Sequence, residues 1–235
     1  IISTPKDLPA YQNLLGDGSL YGMRLQYVPQ PKPEGLAQAF ILGEKFIGDD
    51  SVCLILGDNV FYGSDLTNMV RRAAQITRVA RISAYPVKDA SAYGIVEMDA
   101  QNKVLSIEEK PKNPKSNWAV TGLYFYDNQV VSIAKNLKPS ARGELEITAV
   151  NECYLKQGEL SVEPVSYTHL TLKASMFIEA LESRQGLKIA CLEAIAYKNG
   201  WITLDEVVRR GESLRSTEYG QYLLHIPKDE KRGFF

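Results

Sequence analysis

The chain has 235 residues, of which 45% are hydrophobic and 23% charged, and its formal net charge at pH 7 is −1. This mixture is typical of a soluble globular protein, and the length suffices for one large domain or a domain with an appendage. Lysine and arginine are scattered, whereas a protein that binds a nucleic-acid backbone normally shows a basic face, so we predict no nucleic-acid partner. No apolar stretch approaches the roughly 20 residues needed to cross a bilayer, so we predict no membrane partner either.

The three cysteines, Cys53, Cys153 and Cys191, lie far apart and form no Cys-x-x-Cys pair. A sparse, odd set argues against a disulfide framework or a zinc site, because both need closely matched partners. It is typical of a reducing compartment, and we predict a cytoplasmic protein.

The first half of the chain alternates apolar strands with amphipathic helices. The chain opens on Ile1 rather than Met, and Ile1–Ile2 resembles the tail of a strand, so we expect further sequence before it. Strands are predicted at 24–28, 52–56 and 80–87. The segment 52–56 is continuously apolar, as expected of a central strand covered on both faces. Helices between the strands predict a mainly parallel sheet flanked on both sides.

The pattern changes in the middle and again near the end. Strands predicted at 93–99, 104–109 and 118–126 follow one another without helices, which predicts an antiparallel extension of the sheet. Helices dominate from Glu144 onward. Thr203 and Glu206 have capping-box spacing, and the apolar residues that follow predict a small helical C-terminal appendage.

Asp58 and Asn59 directly follow the central apolar strand. Ligands of open α/β sheets bind at the carboxyl ends of strands, and a carboxylate there can hold Mg²⁺ together with substrate phosphates and water. The alternative is that Asp58 and Asn59 only form a turn, which both residue types favour.

The segment from Gln30 to Gln38 joins a predicted strand end to a helix start. The amide of Gln30 can pair with the edge of a pyrimidine, and Gly35 would allow the backbone to approach a flat base. A proline-rich connector without a ligand explains the segment equally well.

Glu109 ends the predicted strand 104–109. Strict alternation puts it on one face with Leu105 and Ile107, where an unpaired charge is costly, so Glu109 should have a partner such as sugar hydroxyls. Lys110 can meet a sugar phosphate as a point charge. The alternative is a glutamate at a frayed strand end that reaches solvent.

Two further positions are weaker candidates. Tyr93–Gly94 begins a strand with a residue that lacks Cβ, which allows close approach to a ring-shaped ligand. Arg142 precedes a predicted helix and can bind phosphate there, although a solvated arginine is the commoner outcome.

Five blocks of the sequence resemble one enzyme family. They are QPKPEGLAQAFILGEKFIG, LGDNVFYG, YGIVEMD, SIEEKPKNPKSNWAVTGLYFYDNQVV and NLKPSARGELEIT. In this order they resemble the glucose-1-phosphate thymidylyltransferase family, a group of sugar nucleotidyltransferases. The resemblance runs from Ile1 to about Glu163, resumes near Ala174, and implies a Rossmann-like nucleotidyltransferase fold.

The resemblance also implies substrates and roles. The thymidylyl group of dTTP would pass to glucose 1-phosphate, giving dTDP-glucose and pyrophosphate for deoxysugar synthesis. Gln30 and Gly35 would bind the nucleotide, Asp58 would bind Mg²⁺, and Asp58, Lys110 and Arg142 would be catalytic. The residues around glucose 1-phosphate would be Asn59, Tyr93, Gly94, Glu109, Lys110, Val120 and Arg142. Intact relatives form homo-oligomers, commonly tetramers.

Three departures from the family pattern bear on activity. The family's glycine-rich G-G-x-G-T-R-L loop has no match, and the segment 164–173 reads as an aberrant junction where relatives carry a second metal-binding aspartate. Ala149 stands where relatives have aspartate. We therefore expect this chain alone to turn over weakly or not at all, and we do not expect His169 in the junction to be a catalytic base.

These observations predict three regions: a nucleotidyltransferase core at 1–163, the junction at 164–173 and a helical region at 174–235. Two alternative functions stay open. One is a uridylyltransferase or another sugar-1-phosphate nucleotidyltransferase, and the other is a non-catalytic module that binds nucleotide sugars.

Overall fold

The computed structural model describes residues 1–61, 66–75, 79–165, 168–170, 178–180, 182–183 and 188–231. The chain divides into two compact units, one made of Ile1–Pro31 with Met176–Phe235 and the other of Lys32–Ser175. No helix among the described residues combines the length and the apolar character needed to pass through a membrane.

The described elements are short strands and helices in alternation. The strands are β1 (Ile2–Ser3), β2 (Val28–Pro29), β3 (Val52–Ile55), β4 (Asn59–Phe61), β5 (Ala80–Pro86), β6 (Gly94–Met98), β7 (Val104–Glu109), β8 (Trp118–Tyr126), β9 (Leu160–Pro164) and β10 (Thr168–Leu170). The α-helices are α1 (Leu8–Leu15), α2 (Gln38–Leu42), α3 (Glu44–Ile47), α4 (Leu66–Ala74), α5 (Gln129–Asn136), α6 (Ile147–Gln157), α7 (Leu192–Lys198), α8 (Leu204–Ser213) and α9 (Glu218–Lys231).

A six-stranded mixed sheet forms the centre of the unit at 32–175. Its order is β7-β6-β8-β5-β9, and β3 pairs with the far part of β8 on the edge that β6 leaves open. The long strand β8 runs antiparallel to β3, β5 and β6, whereas β5 and β9 are parallel. The predicted α/β class and mixed sheet are confirmed. The parallel character is weaker than predicted because β8 runs in the opposite direction between β3 and β5.

Helices cover both faces of this sheet, and successive side chains of β8 point alternately towards the two layers of helices. Tyr124 and Tyr126 point into the main core with α2, α5 and α6, while Leu123 and Phe125 pack against Met69 of α4 on the other face. The ring of Tyr126 also meets two aromatic rings of the main core, at centroid distances of 5.3 and 5.5 Å. The alternation of one strand thus builds two hydrophobic layers.

The prediction that 52–56 is covered on both faces is wrong. Val52 and Leu54 pack against the main core, but Cys53 is exposed and Ile55 is 61% exposed. In the described chain β3 pairs only with β8, and α4 packs over Leu123 and Phe125 of β8 instead. An apolar run indicated a strand, but it did not show which neighbours would cover it.

The predicted strand at 24–28 is also much shorter in the structure. Only Val28–Pro29 pairs, in parallel with Ile2–Ser3. The backbone N–H groups of Met23 and Leu25 donate instead to the carbonyls of Gly18 and Asp17. This loop uses the donors that a longer ladder would need.

The unit formed by 1–31 and 176–235 has its own hydrophobic core. Tyr21 packs with residues of α7 to α9, including Val207 and Leu223. The predicted capping box begins α8: the Glu206 N–H donates to the Thr203 hydroxyl at 3.3 Å, and the Thr203 N–H donates to the Glu206 carboxylate at 2.7 Å. These contacts satisfy two N-terminal donors of the helix and hold the Glu206 pKa below its usual value. Residues 1–31 thus form one compact unit with these helices, whereas the sequence analysis placed them in the predicted nucleotidyltransferase core at 1–163.

Part of the predicted junction at 164–173 can be described. β9 ends at Pro164, and β10 pairs antiparallel with β4, with His169 opposite Val60. Residues 166–167 and 171–173 lie outside the described residues. The expectation that His169 is not a catalytic base stays a prediction.

Candidate active site

A cleft of about 390 Å³ opens in the unit at 32–175, beside the carboxyl ends of β3 and β7. The middle of β8 and the start of α6 form its other walls. Eight predicted site residues line it: Asp58, Asn59, Tyr93, Gly94, Glu109, Lys110, Val120 and Arg142. The topology therefore brings together residues from five separate stretches of the sequence.

Asp58 lies in the tight turn between β3 and β4, and Asn59 is the first residue of β4. The Asn59 amide donates to one carboxylate oxygen of Asp58 at 2.7 Å and accepts from the Gly122 N–H of β8 at 3.1 Å. Asp58 is exposed at the cleft wall. The turn that was the alternative to a metal site is present. It also places the Asp58 carboxylate at the wall of the cleft.

Glu109 has protein partners as well as a cleft position. Its Oε2 accepts from the Thr148 hydroxyl at 2.5 Å, and its Oε1 lies 3.4 Å from Nη2 of Arg142. The prediction that Leu105 shares its face is wrong, because Leu105 is 53% exposed. The ladder between β6 and β7 shifts register there, and this bulge interrupts the alternation.

Arg142 is exposed to solvent and is also held by carboxylates. Its guanidinium donates to both oxygens of Glu146 at 2.8 Å and lies 3.5 Å from Glu144. Hydrogen bonds and charge from Glu146, with smaller contributions from Glu144 and Glu109, raise the Arg142 pKa above its ordinary value. An incoming phosphate would compete with these carboxylates for the same donors.

Lys110 and Gly94 shape the cleft through their backbones. Lys110 has φ of +42°, which is uncommon for a residue with a side chain, and its N–H donates to the Tyr93 carbonyl at 3.0 Å. A Cβ on Gly94 would lie 3.3 Å from the Thr148 hydroxyl and 3.4 Å from Glu109. A larger residue at 94 would thus crowd the Glu109 carboxylate.

Tyr124 is a cleft residue that sequence reasoning missed. It is 4% exposed, and burial followed by the charges of Glu109 and Asp58 raises its pKa well above the ordinary value. The phenol therefore lies within electrostatic reach of both carboxylates. The available signal was alternation along β8, which puts Tyr124 on the same face as Val120. Nothing in the sequence pattern pointed to Thr148 or Glu146.

Gln30 and Gly35, the two predicted nucleotide contacts, are not among the residues that line the cleft. Gly35 has φ of +100°, and a Cβ there would lie 2.3 Å from the Leu145 carbonyl oxygen, so its close approach is to its own chain. Gln30 lies in the other unit, where its N–H donates to the Ser3 carbonyl at 2.8 Å. Their contacts with thymine stay predictions.

The charge of the cleft suits a bound cation. Carboxylates outnumber cations among its described lining residues: Asp58, Glu109, Glu144 and Glu146 against Lys110 and Arg142. Phosphates entering such a cleft need added positive charge. No group of three or more His, Cys, Asp or Glu side chains able to hold a metal occurs in the described part of the chain. A lone carboxylate completed by substrate phosphates and water is the arrangement that Mg²⁺ accepts.

Comparisons with known proteins agree with this arrangement. The family model for nucleotidyl transferases matches residues 1–169, so the chain belongs to the nucleotidyl transferase family. Enzymes of this family generally use a divalent metal.

Within that family the chain groups with the glucose-1-phosphate thymidylyltransferases. The enzyme of that name from Neisseria gonorrhoeae is 52% identical over 96% of this chain and 82% of its own length. The one from Mycolicibacterium smegmatis is 50% identical over 96% of this chain and 81% of its own length.

Solved structures show the same fold. A Bacillus anthracis protein assigned to the glucose-1-phosphate thymidylyltransferases, crystallised with sucrose, matches with a TM-score of 0.70 at 36% identity, over 83% of this chain and 78% of that one. A UDP-glucose pyrophosphorylase with bound UDP-glucose matches with a TM-score of 0.60 at 21% identity, over 78% and 74% of the two chains, and shares the fold alone.

Proposed function

We propose that the cleft binds glucose 1-phosphate beside dTTP and is the site where the thymidylyl group is transferred, giving dTDP-glucose and pyrophosphate. The observation that supports this most is the grouping of a hexose-sized cleft, an exposed carboxylate at Asp58 and a guanidinium at Arg142. The names of the relatives give the substrates.

Each residue has a distinct part in this proposal. Glu109 accepts hydrogen bonds from hexose hydroxyls, since an ionised carboxylate is an acceptor only. Arg142 and Lys110 hold the sugar phosphate, so that its oxygen lies in line with the α-phosphorus of dTTP. Val120 and Gly94 shape the wall against the hexose ring, and Tyr93 lines the same wall.

Mg²⁺ bound at Asp58 would supply positive charge to the phosphates. The side chains then contribute alignment and charge neutralisation rather than a covalent intermediate, which is how phosphoryl and nucleotidyl transfer is usually catalysed. A cytoplasmic location and assembly into homo-oligomers belong to the same proposal and stay predictions.

Calorimetric titration of the whole chain with dTDP-glucose, in buffer with Mg²⁺, tests the proposal. We expect saturable binding to one site per chain, with UDP-glucose binding more weakly. Tighter binding of UDP-glucose would favour the uridylyltransferase alternative, and no saturable binding of either would contradict the proposal.

The non-catalytic module also predicts binding of dTDP-glucose, but it predicts no turnover at all. The segment 164–173 lacks the second aspartate that the resemblance assigns to the metal, so pyrophosphate release from dTTP and glucose 1-phosphate should be far below an ordinary enzyme rate. Turnover at an ordinary rate would show that this aspartate is dispensable here and would exclude the module.

A further inference from the structure

Arg142 makes closer contacts with Glu146 than with the other carboxylates of the cleft. Its Nη2 donates to both carboxylate oxygens of Glu146 at 2.8 Å, and its Nε donates to Oε1 at 3.1 Å. Glu109 and Glu144 are more distant, with oxygens 3.4 and 3.5 Å from Nη2. Within the described part of the chain, Nη1 makes no hydrogen bond. Glu146 therefore fixes one edge of the guanidinium, while the N–H groups of Nη1 stay available to a phosphate.

The Glu146 carboxylate is itself held in place. Its side chain is 14% exposed, against 43% for Arg142. Its Oε1 also accepts from the Ser140 hydroxyl at 2.8 Å, and the same Ser140 oxygen accepts from the Arg142 backbone N–H at 3.2 Å. A free arginine side chain loses much rotamer freedom when it binds a ligand. An arginine that a fixed carboxylate already orients has less of this freedom to lose, so it binds the ligand more tightly.

Glu146 also occupies the N-cap of α6, a position where glutamate is not among the favoured residues. Asp, Asn, Ser and Thr are favoured there, because their short side chains accept a hydrogen bond from the backbone N–H groups of the first turn. Glu146 has the extended backbone of an N-cap, but its carboxylate makes no such bond and binds Arg142 instead. A residue that breaks a local rule in this way is expected where its side chain serves a functional site.

We propose that Glu146 is a positioning residue, which holds the Arg142 guanidinium in the orientation that receives the phosphate of the sugar substrate. This inference rests on the proposed function, in which Arg142 binds that phosphate. The incoming phosphate displaces the longer contacts of Arg142 with Glu109 and Glu144, and the pair with Glu146 remains. The effect of Glu146 on the substrate passes through Arg142.

Calorimetric titration of Glu146→Asp with dTDP-glucose, in buffer with Mg²⁺, tests the inference. Aspartate keeps the charge but is one methylene shorter, and at an N-cap its carboxylate accepts from the first turn of the helix rather than from Arg142. We therefore expect an unchanged or higher thermal midpoint together with roughly 2- to 10-fold weaker binding, which is the cost of ordering one long side chain. The matched control is Glu152→Asp, the same change on an exposed glutamate of α6 that pairs with Lys156, and it should leave binding unchanged.

A double-mutant cycle separates the inference from the function on which it rests. In the Arg142→Ala background, Glu146→Asp should cause no further loss, because the group that it positions is gone. If Arg142→Ala alone leaves dTDP-glucose binding unchanged, the proposed function is wrong about Arg142. If Arg142→Ala weakens binding but Glu146→Asp does not, or if Glu146→Asp costs the same with and without Arg142, Glu146 is not a positioning residue. Should Glu146→Asp fail to fold, unchanged or tighter binding by Glu146→Gln equally overturns the inference.

Discussion

Replacing Glu109 with alanine will weaken the binding of dTDP-glucose roughly 10- to 100-fold, as measured by calorimetry. A hydrogen bond to a charged group contributes about 1.5–3 kcal/mol, and a factor of ten in affinity corresponds to about 1.4 kcal/mol. The loss should lie mainly in binding, because Arg142 retains its two hydrogen bonds to Glu146, although the buried Thr148 hydroxyl loses its Glu109 acceptor.

The neighbouring residue provides the control. Glu108 is on the same strand and pairs with Lys115 at 2.8 Å, but it does not line the cleft. Glu108→Ala removes the same number of atoms and the same charge, and we expect it to leave dTDP-glucose binding within a factor of two or so of the unmutated chain, as for a surface ion pair. Equal losses in both variants would show that Glu109 acts only through overall charge.

Replacing Gly35 with alanine will destabilise the protein by about 2–5 kcal/mol. Two costs combine: a side chain in the left-handed region costs about 1–2 kcal/mol, and overpacking costs about 1–3 kcal/mol. The second cost arises because the new Cβ would lie 2.3 Å from the carbonyl oxygen and 2.5 Å from the nitrogen of Leu145. Backbone atoms held by the Glu34 and Ala37 hydrogen bonds cannot move aside easily.

Thermal unfolding of two variants separates these costs. Gly143 also has a positive φ, of +77°, but a Cβ there would meet nothing within 4 Å. Gly143→Ala therefore carries only the backbone cost, about 1 kcal/mol, and its midpoint should fall by roughly 2–4 °C. We expect the midpoint of Gly35→Ala to fall two to three times as far. Equal shifts would mean that the segment carrying Gly35 moves away from Leu145 freely.

The sequence predicted well the elements whose signals are local. The bounds of β7 and β8 are as predicted, because their apolar runs end at turn-forming residues, and the Thr203 capping box needs only its own four residues. Predictions that depended on neighbours far along the chain failed. The exposure of Ile55 depends on where α4 packs, and that of Leu105 depends on a bulge opposite Met98.

The same distinction holds in the cleft. Asp58 and Glu109 could be predicted because each ends a strand, and strand ends of an α/β sheet meet at shared edges. Thr148 could not, since its role depends on a carboxylate that the fold brings near from β7. Tyr124 was missed although alternation along β8 puts it on the same face as Val120. For Arg142, sequence position indicated a cation but not that Glu146 would hold it in two hydrogen bonds.

A crystal structure of the chain with dTDP-glucose and Mn²⁺ tests the central claim most directly, because the anomalous signal locates the metal independently of the sugar. We predict Mn²⁺ on the Asp58 carboxylate and hexose hydroxyls within hydrogen-bond distance of Glu109. Binding of the nucleotide sugar elsewhere, for example in the polar hollow beside Asp127 and Lys135, would contradict the assignment.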